Sequence, residues 1–130
     1  MAIDPKLLQQ ILDHPRDDDP RLVLADSLQS KNDPRGELII AQCRLAERGT
    51  PREERATLKM ETARLLQAHG DKWMAVVKGV GNAKMARGFI DSIVANAKKL
   101  ADKTSEIFES EPVTRLTITE ANSKNLSPLA

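Results

Sequence analysis

The sequence predicts a mainly helical α+β domain, with about four to five helices followed by a short parallel β-α-β unit. Two observations carry this. Four times in the first half an Asp or Thr immediately precedes a proline: Asp4-Pro5, Asp19-Pro20, Asp33-Pro34 and Thr50-Pro51. Proline suits the first helical turn because its missing N–H would be unpaired there, and the preceding oxygen can accept one of the free N–H groups. The second observation is a change after residue 77, where two segments rich in β-branched residues, RGFIDSIVAN and VTRLTIT, flank a stretch with helical spacing. Strand, helix, strand in that order implies a right-handed parallel crossover. A length of 130 residues fits one domain, with a helical part over 1–77 and a β-α-β part over 84–130.

Each predicted helix has its own apolar side. Leu7, Leu8, Ile11 and Leu12 form a stripe over 5–14, and Leu24, Ala25 and Leu28, with Leu22 alongside, do so over 20–30. Leu38, Ile39, Ile40, Cys43 and Ala46 give the segment 34–48 a broad apolar face. The fourth helix, 51–69, is more polar. Thr50-x-x-Glu53 reads as its capping box, Leu58, Leu65 and Leu66 as its anchors, and Gly70 as its terminator. Asp71 then caps a short segment with Trp73, Met74, Val76 and Val77, and the glycine-containing stretch Lys78–Lys84 reads as a flexible connection. Beyond it come a strand over 87–96, a helix over 97–109 and a strand over 113–119, in which Leu116 and Ile118 point one way.

Composition excludes several functions. Twenty basic and nineteen acidic side chains leave a net charge of +1, so no overall field draws in nucleic acid or an acidic membrane. The aromatics are Trp73, Phe89 and Phe108, too few for a base-stacking platform. A single cysteine, Cys43, excludes an internal disulfide and a multi-cysteine zinc site. Met1-Ala2-Ile3-Asp4-Pro5 lacks the apolar core of a signal peptide, and no apolar run approaches the ~20 residues of a membrane span. A cytoplasmic protein without membrane insertion is expected.

The chemical motifs are incomplete. Asp17-Asp18-Asp19 lacks the turn glycine and distal glutamate of a calcium loop, and reads as negative charge placed at a helix start. His14 and His69 fall at predicted helix ends, where a cation suits the dipole. Cys43 falls on an apolar side, so nothing local supports a Cys–His dyad. Gly79-x-Gly81 has Lys84 where a dinucleotide loop needs a third glycine, and the chain lacks the Gly-Lys-Ser/Thr of a phosphate loop. Arg48, Arg52, Arg55, Lys59 and Arg64 interleave with Glu47, Glu53, Glu54 and Glu61, the pattern of an exposed salt-bridged helix. No catalytic group, metal or cofactor is expected.

An internal repeat links the two strands. Ile90-x-x-Ile93-x-Ala95 overlays Val113-x-x-Leu116-x-Ile118 at an offset of about 23 residues, within the ~20–29 of leucine-rich repeats, although Asn122 stands one position beyond the repeat's asparagine. The helical part carries a second likeness. Arg21-Leu-Val-Leu-Ala-Asp-Ser-Leu28, then Asn32-Asp-Pro-Arg-Gly-Glu-Leu-Ile39 and Gln42, resemble the bacterial repeat-companion domain, whose pattern runs R-L-V-Y-A-D-W-L, G-D-P-R-G-E-F-I and a glutamine. The likeness continues in His69-Gly-Asp-Lys-Trp73, Arg87-Gly-Phe-Ile90 and Pro112–Thr119. Leu24, Ser27, Asn32 and Leu38 depart from it, standing where the family has Tyr, Trp, Gly and Phe. The resemblance implies a helical cap preceding leucine-rich-repeat-like segments, and it supplies no reaction.

Two sets of residues are candidates for function. Arg21, Asp26, Asp33, Arg35 and Glu37 lie in the family-like block, as a recognition surface or as a structural tie in which Arg35 holds Asp26 to the turn while Asp33 caps a helix. Val113, Arg115, Leu116, Thr117, Ile118 and Thr119 form a candidate contact edge, because a strand paired on one side leaves N–H and C=O groups free and the residues after 119, with Pro128 among them, are too few for another helix and strand. The expected function is a non-enzymatic interaction or capping adaptor. Its partner would be another protein, further repeats of a longer parent, or a second copy joined through this edge. The alternative is a small immunity- or antitoxin-type protein that neutralises a partner.

Overall fold

Asp4 sets the pattern for the helical part: its Oδ1 accepts the Lys6 N–H at 2.9 Å, and helix α1, Pro5–Asp13, follows. The computed structural model describes residues 3–119. Helix α2, Asp19–Ser30, begins one residue earlier than expected, because Asp17 Oδ1 accepts the Asp19 N–H at 3.0 Å and Asp19 itself becomes helical. It ends at Ser30, and beyond it Asn32, at a φ of 59°, lets the N–H groups of Asn32 and Asp33 turn back to Gln29 and Leu28 at 3.0 and 2.9 Å. That left-handed corner favours glycine and, next, asparagine, the residue at position 32. Asp33 then caps helix α3, Pro34–Ala46, by accepting the Arg35 N–H at 3.0 Å.

Helix α4, Arg52–Trp73, departs from expectation at both ends. The Thr50 hydroxyl donates to the Arg44 carbonyl at 2.6 Å, so it makes no capping box with Glu53. Gly70 does not end the helix, nor does Asp71 cap a new one. Gly70 is buried inside α4, and the last turns carry Leu65 and Trp73 onto Leu38, so tertiary packing overrides the glycine's weak helix propensity. A short 3-10 turn, Ala75–Val77, leads out.

The second part holds β1 (Gly81–Ala86), β2 (Phe89–Asn96), α5 (Ala97–Ala101), α6 (Thr104–Ser110) and β3 (Arg115–Thr119). The fold is therefore α+β and mainly helical, with a three-stranded mixed sheet of order β1-β2-β3 after the helices. Strands β2 and β3 are parallel, as expected, but the single helix expected over 97–109 is split into α5 and α6. The stretch read as a flexible connection instead contributes the start of β1, which pairs antiparallel with β2 from Gly81 opposite Ala95. Its sequence, GNAKMA, is poor in the β-branched residues that mark strands. Arg87 and Gly88 form the two-residue turn between them, both at positive φ (53° and 87°). Such turns match the twist of the flanking strands, and so β2 starts at Phe89 rather than at 87.

Across β2 and β3, Ile93 faces Leu116 and Ala95 faces Ile118, and the equivalent pair Asp91–Thr114 is 23 residues apart. The sequence offset and the sheet register are the same. Asn122 and Pro128 lie outside the described residues. The core forms three clusters. One joins Ile11, Leu24, Leu28, Ile39 and Cys43 to Phe89, and a second joins Leu38 to Leu65 and Trp73. The third lies under the sheet, with Val77, Val80, Ile90, Ile93, Ala95, Leu100 and Ile107. Phe89 is the sheet residue that plugs into the helical cluster, and full burial of such a ring is worth about 2–3 kcal/mol. Among the described residues no helix is long and apolar enough to cross a membrane.

Candidate functional site

The family-like block builds a latch on the hairpin tip. On α2, Arg21 heads the buried stripe Arg21, Leu24, Ala25, Leu28. On α3, Arg35 heads Arg35, Leu38, Ile39 and Cys43, so the helical period carries both guanidinium groups inward. A buried guanidinium must spend its donors. Arg35 Nε donates to the Gly88 carbonyl at 2.9 Å, while Arg21 donates to the Arg87 carbonyl at 3.1 Å and the Pro15 carbonyl at 2.7 Å. Gln42 Oε1 accepts the Gly88 N–H at 2.8 Å. The two guanidinium groups also lie over the Phe89 ring, 5.5 Å (Arg21) and 4.8 Å (Arg35) from its centroid, where the electron-rich face favours cations. A side chain at position 88 would collide with Ile39, so close approach as well as positive φ requires Gly88.

Glu111 joins from the end of α6: its Oε1 accepts the Ile90 N–H at 2.8 Å and lies 3.9 Å from Arg35 Nη2. Burial dominates both partners, lowering the Arg35 guanidinium from its usual value and raising the Glu111 carboxyl despite their mutual attraction. Burial also lowers Arg21. At the rim, Arg87 Nε sits 3.3 Å from Asp18, which gives one member of the acidic run its role.

This geometry revises the expected tie. Arg35 does not hold Asp26, which is exposed and has no hydrogen-bond or ion-pair partner among the described residues. Asp33 caps α3, and Glu37 is exposed, 3.9 Å from Arg64. The structure thus brings Arg21 and Arg35 together and leaves Asp26 and Glu37 outside. Leu24 and Leu38, two of the departures from the family pattern, are fully buried and belong to packing rather than to a recognition surface. Arg87, Gly88 and Glu111 were not among the candidates. The available signal was an arginine leading an apolar stripe twice, which demands buried acceptors from elsewhere in the chain.

Cys43 and His69 each sit in a packed environment. Burial pushes the Cys43 thiol up to about 12. His69 is not at a helix end but inside α4, stacked on Trp73 with ring centroids 5.0 Å apart. Among the described residues no group of His, Cys, Asp and Glu side chains could hold a metal ion.

On the sheet's edge beside β2, all five residues of β3 are exposed. Leu116 and Ile118 share the core side with Ile93 and Ala95, yet are 41% and 46% exposed where their neighbours are 1% and 0%. Val113 is different from the rest of the proposed edge: it precedes the strand and packs against the sheet's own core. On the solvent face, Asn82, Lys84, Ser92, Val94, Arg115 and Thr117 line a shallow depression of about 270 Å³. No family model, curated protein or solved structure matches the chain.

Proposed function

We propose that the chain is a non-enzymatic cap of the repeat-companion type, acting in the cytoplasm. The latch fastens the helices to one end of a small sheet, and the β3 edge receives a further strand, from following repeats or from a protein partner. One observation carries this reading: β2 and β3 pair at the 23-residue offset of their sequence repeat, and Leu116 and Ile118 are half-exposed where the equivalent Ile93 and Ala95 are buried. A stacked unit buries its apolar side only against its neighbours, so an uncovered Leu116–Ile118 ledge is the side on which the next unit would stack.

Duplication tests the reading. A second copy of the segment Ala97–Thr119 inserted after Thr119 supplies one more unit. Hydrogen exchange at the Arg115–Thr119 amides should slow, and the thermal midpoint should rise, because the added strand covers Leu116 and Ile118. An inserted segment that stays unprotected and is cleaved by protease, with β3 amides exchanging as before, would overturn it.

A further inference from the structure

We propose that the solvent face of the sheet is a docking surface for an acidic segment of a partner protein, with a carboxylate held between Lys84 and Arg115 above Ser92. This face is distinct from the β3 edge, so an acidic segment can bind whether or not a further strand is added there. Lys84 and Arg115 are both register partners of Ser92, one from β1 and one from β3. Their Cα atoms are thus two strand spacings apart, about 10 Å, and two long side chains can reach one anion from that separation. Neither forms an ion pair among the described residues, and no acid lines the depression they share with Asn82, Val94 and Thr117.

The nearest acid in sequence is kept out by the irregularity in the β1–β2 ladder. Lys84 pairs with Ser92 and Met85 with Ile90, so Asp91 has no register partner on β1. It serves β3 instead: its carbonyl accepts the Thr114 N–H at 2.8 Å and its Oδ1 the Thr114 hydroxyl at 2.8 Å. Bulges of this kind re-aim a side chain. Here the result is a face with two cations, the hydroxyls of Ser92 and Thr117 and the 45% exposed Val94, and no carboxylate of its own among the described residues. A protein carboxylate fits better than nucleic acid because no aromatic side chain lines the face for a base to stack on.

A fluorescein-labelled decapeptide of alternating glutamate and alanine is the probe, titrated against the full chain by anisotropy at low salt. Saturable binding should weaken about tenfold in Lys84→Ala/Arg115→Ala, the summed effect of two exposed ion pairs, and should be lost in 0.5 M salt. Lys98→Ala/Lys99→Ala, two exposed lysines on α5, should bind as the wild type does. Ile118→Ser, on the other side of β3, should leave the titration unchanged while altering any edge association, which separates this face from the strand-addition reading. An absent titration, equal binding of a glutamine-alanine peptide, equal weakening by the α5 pair, or tighter binding of single-stranded DNA would each overturn the proposal.

Discussion

The two margins of the sheet make a direct comparison. At the hairpin tip, Gly88 has both backbone groups taken up by side chains of α3, its N–H by Gln42 and its carbonyl by Arg35. At β3, five consecutive residues face solvent and two apolar side chains lie half-bare. The tip is a strand-to-strand turn and β3 a lateral edge paired with β2 alone, so the two leave different backbone groups to be satisfied, and a second difference lies outside the sheet. That second difference is the helical surface opposite each. The tip meets helices that carry buried donors, some of which its carbonyls satisfy, while Arg21 Nε and Arg35 Nη2 are buried without a hydrogen-bond partner. The β3 edge meets no described element. One margin is fastened, and the other is open among the described residues.

The comparison can be broken by mutation, beginning where the effect is largest. Arg35→Ala removes the bond to Gly88, empties volume beside Phe89 and strands the buried Glu111, so it should cost about 3–5 kcal/mol in urea unfolding. Arg35→Met, which keeps the volume, should cost less. A loss below about 1 kcal/mol in both would mean the tip is closed by packing alone. Gly88→Ala should cost roughly 2–4 kcal/mol, from strain at positive φ added to overlap with Ile39. A neutral result would show that the tip is mobile.

Glu111 sharpens the comparison through pH. Its folded carboxyl titrates above the ordinary value because burial outweighs Arg35, so the neutral form suits the folded state. Its contribution to stability is present below about pH 4 and is lost as pH rises through the raised value. Denaturant midpoints of the wild type should therefore fall, relative to Glu111→Gln, between acid and neutral pH. A rise instead would mean that the attraction of Arg35 dominates. The smallest effects belong to the open margin and the uninvolved acid. Leu116→Ser and Ile118→Ser should each cost about 1 kcal/mol or less, and Asp26→Ala should stay within about 0.5 kcal/mol. A large loss at Ile118 would show that the edge is already covered.

Local chemistry was legible and distant chemistry was not. Asp4 and Asp33 capped where their prolines said they would, and the two β-branched strands paired at the offset of their repeat. Thr50 had the right spacing for a cap but found a better acceptor in the Arg44 carbonyl. Strand β1 was missed because its residues have little strand preference of their own, and it forms by pairing with β2. The Gly88 carbonyl that Arg35 meets lies 53 residues away and one of the two carbonyls that Arg21 meets lies 66 residues away, and no residue type announces a backbone carbonyl. Asp26 was the wrong choice for the opposite reason. It sat nearby in sequence, and its helix turned it to solvent.

Phe89 sets an order on the making of this protein. Helices α1 to α3 leave the ribosome long before it does, carrying two arginines that point into a socket without a plug. Until residues 87–89 arrive, Arg21 has the Pro15 carbonyl alone, Arg35 lacks the Gly88 carbonyl, and neither has the ring it rests on. The first helices to be synthesised are therefore among the last to be finished.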